Sequence, residues 1–169
     1  MLDHLGSQIE FTGSVQPVPA QGLTEVAWFE SGRTTAIDND RDTWHAVFEL
    51  LDRPYFHRVW IFQEIQLATS TLLQCGHEMV SWRHLRRAIV ACSLMTLPSE
   101  LPSQLRSRLD CLWALALDSR ALDPVRLSEY VISAECSNPR DRVYGILGLL
   151  PSAVSRRIQP DYVRPIREI

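Results

Sequence analysis

Trp60 and Glu64 stand four residues apart in the run RPYFHRVWIFQE, with Gln63 between them. On a helix that spacing places the indole and the carboxylate on one face. Two roles are open to Glu64. It pairs with Arg53, Arg58 or a backbone donor and is structural, or it is the catalytic carboxylate of the chain. Other arrangements offer less. Cys75 and His77 lie close together, but no second pair has the matching spacing of a metal site, so no metal is expected. The chain has no GxGxxG or Walker sequence for phosphates and no GxSxG elbow for a nucleophile. Gly145 and Gly148 lie in an apolar segment, where small residues let neighbouring elements approach. The run Arg83–Arg87 follows Trp82 and is locally basic. On an acidic protein such a run is expected to be a solvated helix face, not a nucleic-acid site.

These residues need elements to hold them. Pro54 fits a first helical position, with Asp52 or Arg53 as the N-cap and Asp52 the better capper. One helix is expected from there to about Ala68. Phe56, Val59, Trp60 and Leu67 fall on one arc, with Gln63 in its middle. Glu64 falls at the edge of that arc, beside His57. Tyr55, Ile61, Phe62 and Ile65 cover most of the rest, and a helix apolar on nearly every side is normally buried. Before it, Asp38 or Asp40 caps a helix carrying Trp44, Val47, Phe48 and Leu51.

After it, Thr69–Cys75 reads as a strand, Gly76–Glu78 as a turn and Met79–Val80 as a return strand. Ser81 caps a helix from Trp82 to about Met95. Further helices are expected over Ser103–Leu117, from Asp123–Pro124 onward, and over Arg140–Leu149, the last with Asn138 as cap and Pro139 at its first position. Pro98 and Pro102 break the chain, and Pro160 and Pro165 mark an extended tail. Residues 1–39, with Gly13, Pro17, Pro19, Gly22 and Gly32, read as irregular. Within them Glu25–Phe29 is a short apolar piece, helical turn or strand.

The total is an α+β, predominantly helical chain of about six helices and one small hairpin. Its 169 residues suffice for a core. Apolar residues at 46% and charged residues at 22% indicate a globular protein, and a net charge of −3 gives no field for nucleic acid. No apolar run is long enough to cross a bilayer, and the N-terminus does not read as a signal peptide. Four dispersed cysteines, Cys75, Cys92, Cys111 and Cys136, suit reduced thiols of the cytoplasm.

The stretch RPYFHRVWIFQEIQLA, followed by LLQCG and MVSW, resembles the fungal heterokaryon-incompatibility (HET) domain. The matching residues are Arg53, Pro54, Phe56, Arg58, Val59, Trp60, Gln63, Glu64, Cys75, Gly76 and Trp82. NPRDRVYGILGLLP resembles the segment that follows the domain in such proteins. Pro139, Arg140, Asp141, Val143, Tyr144, Leu147, Gly148 and Leu149 carry that match, and Asn138 replaces an Asp. PDYVRPIREI resembles the next segment, with Val163 in place of Ser. The resemblance covers about residues 42–169. Two earlier blocks of the domain, a Ser-Tyr-x-Trp-Gly stretch and a Cys-Ile-Asn-Gln run, have no counterpart.

The resemblance implies the C-terminal part of a larger TIR-like α/β HET domain over residues 40–95, a helical downstream region over 96–169, and an irregular segment before them. The lone hairpin and the very apolar helix would then lack strands that cover them. It also implies a cytoplasmic effector or interaction module of non-self recognition and regulated cell death. Protein partners are implied, as an incompatibility partner or as self-association. TIR domains that cleave NAD use a Glu four residues after a Trp. The resemblance thus implies Glu64 as a catalytic carboxylate and NAD as the substrate of a complete domain, with no cofactor for this chain. A single carboxylate can stabilise an oxocarbenium-like transition state. An inactive structural remnant is the remaining alternative.

Overall fold

The computed structural model describes residues 2, 6–7, 9–12, 16–20, 41–94, 101, 103–116 and 124–165. Strands β1 (Ile9–Thr12) and β2 (Gln16–Pro19) form an antiparallel hairpin with Ile9 opposite Pro19 and Phe11 opposite Pro17. This adds a second hairpin, inside the segment that reads as irregular. Its prolines sit at alternate positions, so both fall at pairs where no ladder N–H is required. That pattern is disguised in sequence by the proline content itself. Ile9 is fully buried. The apolar piece at 25–29, the caps proposed at Asp38 and Asp40, and residues 95, 98, 102, 117 and 123 lie outside the described residues.

Helix α1 (Arg41–Leu51) buries Trp44, Val47 and Leu51 at helical spacing. A 3-10 turn, Pro54–His57, follows, and then α2 (Trp60–Leu67). The single helix expected over these residues is therefore broken. Arg58 is extended (φ −71, ψ 137), and its neighbours pair with another part of the chain. The Val59 N–H donates to the Glu135 carbonyl at 3.0 Å, and the Glu135 N–H donates to the His57 carbonyl at 2.6 Å. This parallel bridge takes the polar groups that a continuous helix would have used. The cap differs too. Arg53, not Asp52, is the N-cap of the 3-10 turn, without a side-chain cap bond, and Pro54 stands just inside it.

Strands β3 (Leu72–Cys75) and β4 (Glu78–Ser81) form the expected hairpin. Gly76, with φ +64, makes its turn in the left-handed region that glycine adopts freely. Ser81 caps α3 (Trp82–Leu94), its hydroxyl accepting the His84 N–H at 3.2 Å. Helix α4 (Ser103–Ala116) packs along α3 in the most extensive helix–helix contact of the described residues. Helix α5 (Pro124–Ser133) follows.

The helix expected over Arg140–Leu149 is also divided. It becomes α6 (Asp141–Tyr144) and a 3-10 turn, Leu147–Leu149. The N-cap of α6 is Arg140, without a side-chain cap bond, and not the expected Asn138, whose Oδ1 instead accepts the Arg140 N–H at 3.1 Å in the turn before the helix. A short α7 (Ser152–Ser155) precedes the extended tail.

One buried cluster unites these elements. It runs from Ile9 and Trp44 through Phe62, Leu85 and Ile89 to Leu109, Leu112 and Tyr130. Most of the apolar helix α2 is covered by the chain itself, so the expectation of a bare face holds only for Leu67 at its end and for Leu72 and Met79 on the β3–β4 hairpin, which are exposed. Ile61 and Phe62 are fully buried, and Ile65 nearly so. The Phe62 ring lies 4.5 Å from that of Tyr130 on α5.

Helix ends inside this cluster need donors for their last carbonyls. Long side chains provide them. Arg108 reaches Leu51 O at the end of α1, at 2.7 Å. Arg106 reaches Ser93 O on α3, at 2.7 Å. Gln66 reaches Leu115 O on α4, at 3.1 Å. The arginines also place positive charge at the negative ends of the helix dipoles.

Candidate functional site

The bridge between Arg58 and Glu135 brings the RPYFHRVWIFQE and NPRDRVYGILG segments together. Beside it lies an open cleft of about 790 Å³, lined by Arg58, Trp60, Glu135, Cys136, Asp141 and Arg142 among others. Three of the residues singled out in the sequence, Arg58, Trp60 and Asp141, thus share one surface.

Most polar groups around this junction are already satisfied by the protein. The Arg142 guanidinium donates to the carbonyls of Val131, Ile132 and Ala134 at the end of α5. Asp141 is buried and accepts from the Tyr162 hydroxyl at 2.6 Å. That bond is the main cause pushing Tyr162 up to about 12. The Tyr144 hydroxyl donates to the Asp161 carbonyl at 3.2 Å and accepts the Asp161 N–H at 3.0 Å. The Asp161 carboxylate accepts the N–H groups of Val163 and Arg164, which hold it below the usual carboxylate range. Arg140 donates to the Arg164 carbonyl. Tyr144 and Tyr162 meet edge to face, 5.2 Å between centroids. The PDY segment is thereby fastened onto α6.

Gln63 joins the segments a second time. Its side-chain oxygen accepts the Gly148 N–H at 2.9 Å. A Cβ on Gly148 would come 2.8 Å from Leu67 Cδ1, and one on Gly145 would come 3.1 Å from Val59 Cγ1. The two glycines therefore permit the close approach expected of them, although the helix around them is broken. Gln63 is half-buried and structural in its contacts.

Glu64 is exposed and does not line the cleft. Its carboxylate accepts a hydrogen bond from the Tyr55 hydroxyl, rather than pairing with Arg53 or Arg58. Partial burial and then the Glu64 charge raise Tyr55 above the ordinary phenol value. His57 keeps other company. Its Nε2 lies 3.2 Å from Asp52 Oδ1 and its Nδ1 lies 3.8 Å from Glu135 Oε1. Its described partners are carboxylate and carbonyl groups, not the thiol or hydroxyl of a nucleophile–base pair.

The remaining singled-out residues have structural positions. Phe56 is buried and meets Tyr55 edge to face. Cys75 ends β3, half-buried, and Pro139 is exposed in the turn before α6. No group of three His, Cys, Asp or Glu side chains capable of holding a metal occurs among the described residues. Cys92 is fully buried, and burial pushes its thiol up to about 12, so it is protonated and inert at neutral pH.

Trp82 stands elsewhere. It opens α3 and lines a second cleft with Arg83, Arg86 and Arg87. The basic run is thus only partly the solvated face expected of it, since Arg86 and Arg87 are half-buried. Sequence reasoning missed this grouping. The available signal was the i, i+3, i+4 spacing of the three arginines behind the hydroxyl-bearing run Thr69–Thr71.

No helix of the described residues is long and apolar enough to cross a membrane. No protein-family profile matches the chain, and no solved structure does. The chain is similar to heterokaryon incompatibility protein 6, OR allele, of Neurospora crassa. The two are 29% identical over 140 residues, which cover 70% of this chain and 21% of that protein, so the chain spans about a fifth of its relative's length.

Proposed function

We propose that this chain belongs to a heterokaryon-incompatibility protein and works in non-self recognition between fused fungal cells. It serves there as an effector or interaction module of regulated cell death. The observation that carries this reading is the similarity to the Neurospora crassa incompatibility protein over 70% of the chain. The junction supports it, because the segments of the family resemblance are also bonded to one another, Gln63 to Gly148 and Asp141 to Tyr162. Its action is with protein partners in the cytoplasm. The test is a chimaera in which this chain replaces the aligned region of the Neurospora protein. Expressed in a compatible host, it is expected to kill fused cells on pairing with an incompatible strain. A stably expressed chimaera that leaves every pairing viable sinks the reading.

A second reading makes Glu64 the carboxylate of an NAD-cleaving site in a fuller domain. Its support is the placement of Trp60 and Glu64 one turn apart on α2, with the carboxylate exposed and oriented by Tyr55. On this reading Glu64→Gln in a killing-competent full-length protein abolishes NAD loss. Unchanged NAD loss in that variant rules it out.

A further inference from the structure

The stretch QPDYVRP, residues 159–165, is held in a different way from the helices. Every residue in it is exposed except Asp161, which is half-buried, and Val163 is 93% exposed. None of its apolar side chains belongs to the buried cluster or packs against it. Polar bonds fasten it instead. The Tyr144 hydroxyl donates to the Asp161 carbonyl and accepts the Asp161 N–H. Arg140 donates to the Arg164 carbonyl. The Tyr162 hydroxyl donates to Asp141 Oδ1, and its ring rests edge to face on Tyr144.

The stretch also carries its own turn. The Asp161 carboxylate accepts the Val163 and Arg164 N–H groups and lies 3.2 Å from the Arg164 guanidinium. Pro160 and Pro165 bracket that turn and narrow the conformations open to it when free, which lowers the entropy lost on return. A segment without buried apolar side chains opens at a free energy well below that of global unfolding. What lies beneath is the reverse case, since Asp141 and Tyr144 are buried. Of the partners on the α6 side, Asp141 is the one that also lines the junction cleft. Its bond is charge-assisted, and such bonds are the stronger kind.

We propose that residues 159–165 form a releasable strap, latched by Tyr162 on Asp141, whose opening uncovers Asp141 at the junction cleft. The closed state commits Asp141 Oδ1 to Tyr162. The open state frees that oxygen for water and for groups entering the cleft beside Arg58 and Trp60. The device rests on the junction geometry and does not depend on the incompatibility reading.

The test is hydrogen exchange of the purified full chain at neutral pH, read residue by residue by NMR, with and without low urea. The Asp161, Val163 and Arg164 N–H groups report the strap, and those of Ile89 and Val90 report α3. Strap protection is expected to be measurable, at least about a hundredfold below that of α3, and insensitive to low urea. Tyr162→Phe keeps the ring at an exposed position, so it should fold. It should cut strap protection about tenfold, the worth of a hydrogen bond to a charged group, and leave α3 unchanged. Val163→Ala should change neither. Carbodiimide labelling read by mass spectrometry follows Asp141 itself, with the exposed Glu129 as control. Asp141 labelling should rise in Tyr162→Phe while Glu129 labelling stays constant. The proposal is overturned by strap protection equal to that of α3, by an unprotected strap in the parent, or by unchanged strap protection or Asp141 labelling in Tyr162→Phe. A loss shared with α3 or reproduced by Val163→Ala overturns it as well.

Discussion

The two clefts of this protein contain similar residue types and use them in opposite ways. At the junction, Arg142 is committed to three carbonyls at the end of α5, and Asp141 is committed to Tyr162. Gln63 is committed to Gly148. At the other cleft, arginines crowd together with no acid among the described lining residues. Buried polar groups that satisfy one another hold a fold together. A group left wanting a partner indicates a ligand or a cost that the fold bears elsewhere. Residue type alone therefore does not say which arginines are committed to the fold, while carbonyl partners such as those of Arg142 do.

The largest expected effect tests whether the junction is structural. Phe62 is fully buried and contacts Tyr130, tying α2 to α5. Phe62→Ala should cost about 3–5 kcal/mol, the usual range for emptying a buried aromatic site. Chemical unfolding monitored by circular dichroism checks it. A cost below about 1 kcal/mol would mean that α2 and α5 are not firmly joined.

A smaller, paired effect separates the clefts directly. Arg142→Met keeps much of the apolar stem but removes the donor from the carbonyls at the end of α5. It should cost about 0.5–1.5 kcal/mol, the net worth of a typical hydrogen bond, because Arg142 is exposed and water can reach part of these carbonyls. Arg83→Ala should stay within about 0.5 kcal/mol of the parent, as exposed positions usually do. Thermal melts of the two variants side by side decide this. Equal costs would erase the distinction between a committed and an uncommitted arginine.

Much of the helical fold was legible in the sequence. Trp44, Val47 and Leu51 announced α1, and Ser81 announced the start of α3, because both signals are local. The two helices that broke did so for non-local reasons. Nothing in residues 53–68 reveals that His57 and Val59 give their backbone groups to Glu135, over seventy positions away. An eight-residue α2 has little helical stability of its own, so tertiary pairing sets where it begins. The site was legible only in part. Gln63 was placed by its position in the arc, and Gly145 and Gly148 by their size. Glu64 was expected at a half-buried edge beside His57, and the break at Arg58 leaves it exposed and turned toward Tyr55. Most of the bare apolar face expected of α2 is covered, in part by Tyr130 of α5, which no window around α2 contains, and only Leu67 at its end stays exposed.

The smallest effect concerns how the PDY segment is fastened at the junction. The Tyr162 hydroxyl donates to Asp141, and this bond raises its folded value from the ordinary phenol value of 10.0 to about 12. The folded protein therefore retains this proton at pH values where the unfolded chain has lost it. Stability from the bond is complete below about pH 10 and declines as pH rises toward 12. The expected observation is phenolate absorbance that emerges late in an alkaline titration, from Tyr162 together with Tyr130, which burial raises well above the ordinary phenol value. Tyr162→Phe should remove one residue's share of that late absorbance and flatten the fall in stability over the same interval, while leaving the parent fold intact at neutral pH. If Tyr162→Phe titrates as the parent does, the hydroxyl is not held by Asp141. The tail would then rest on the Tyr144 and Arg140 contacts alone.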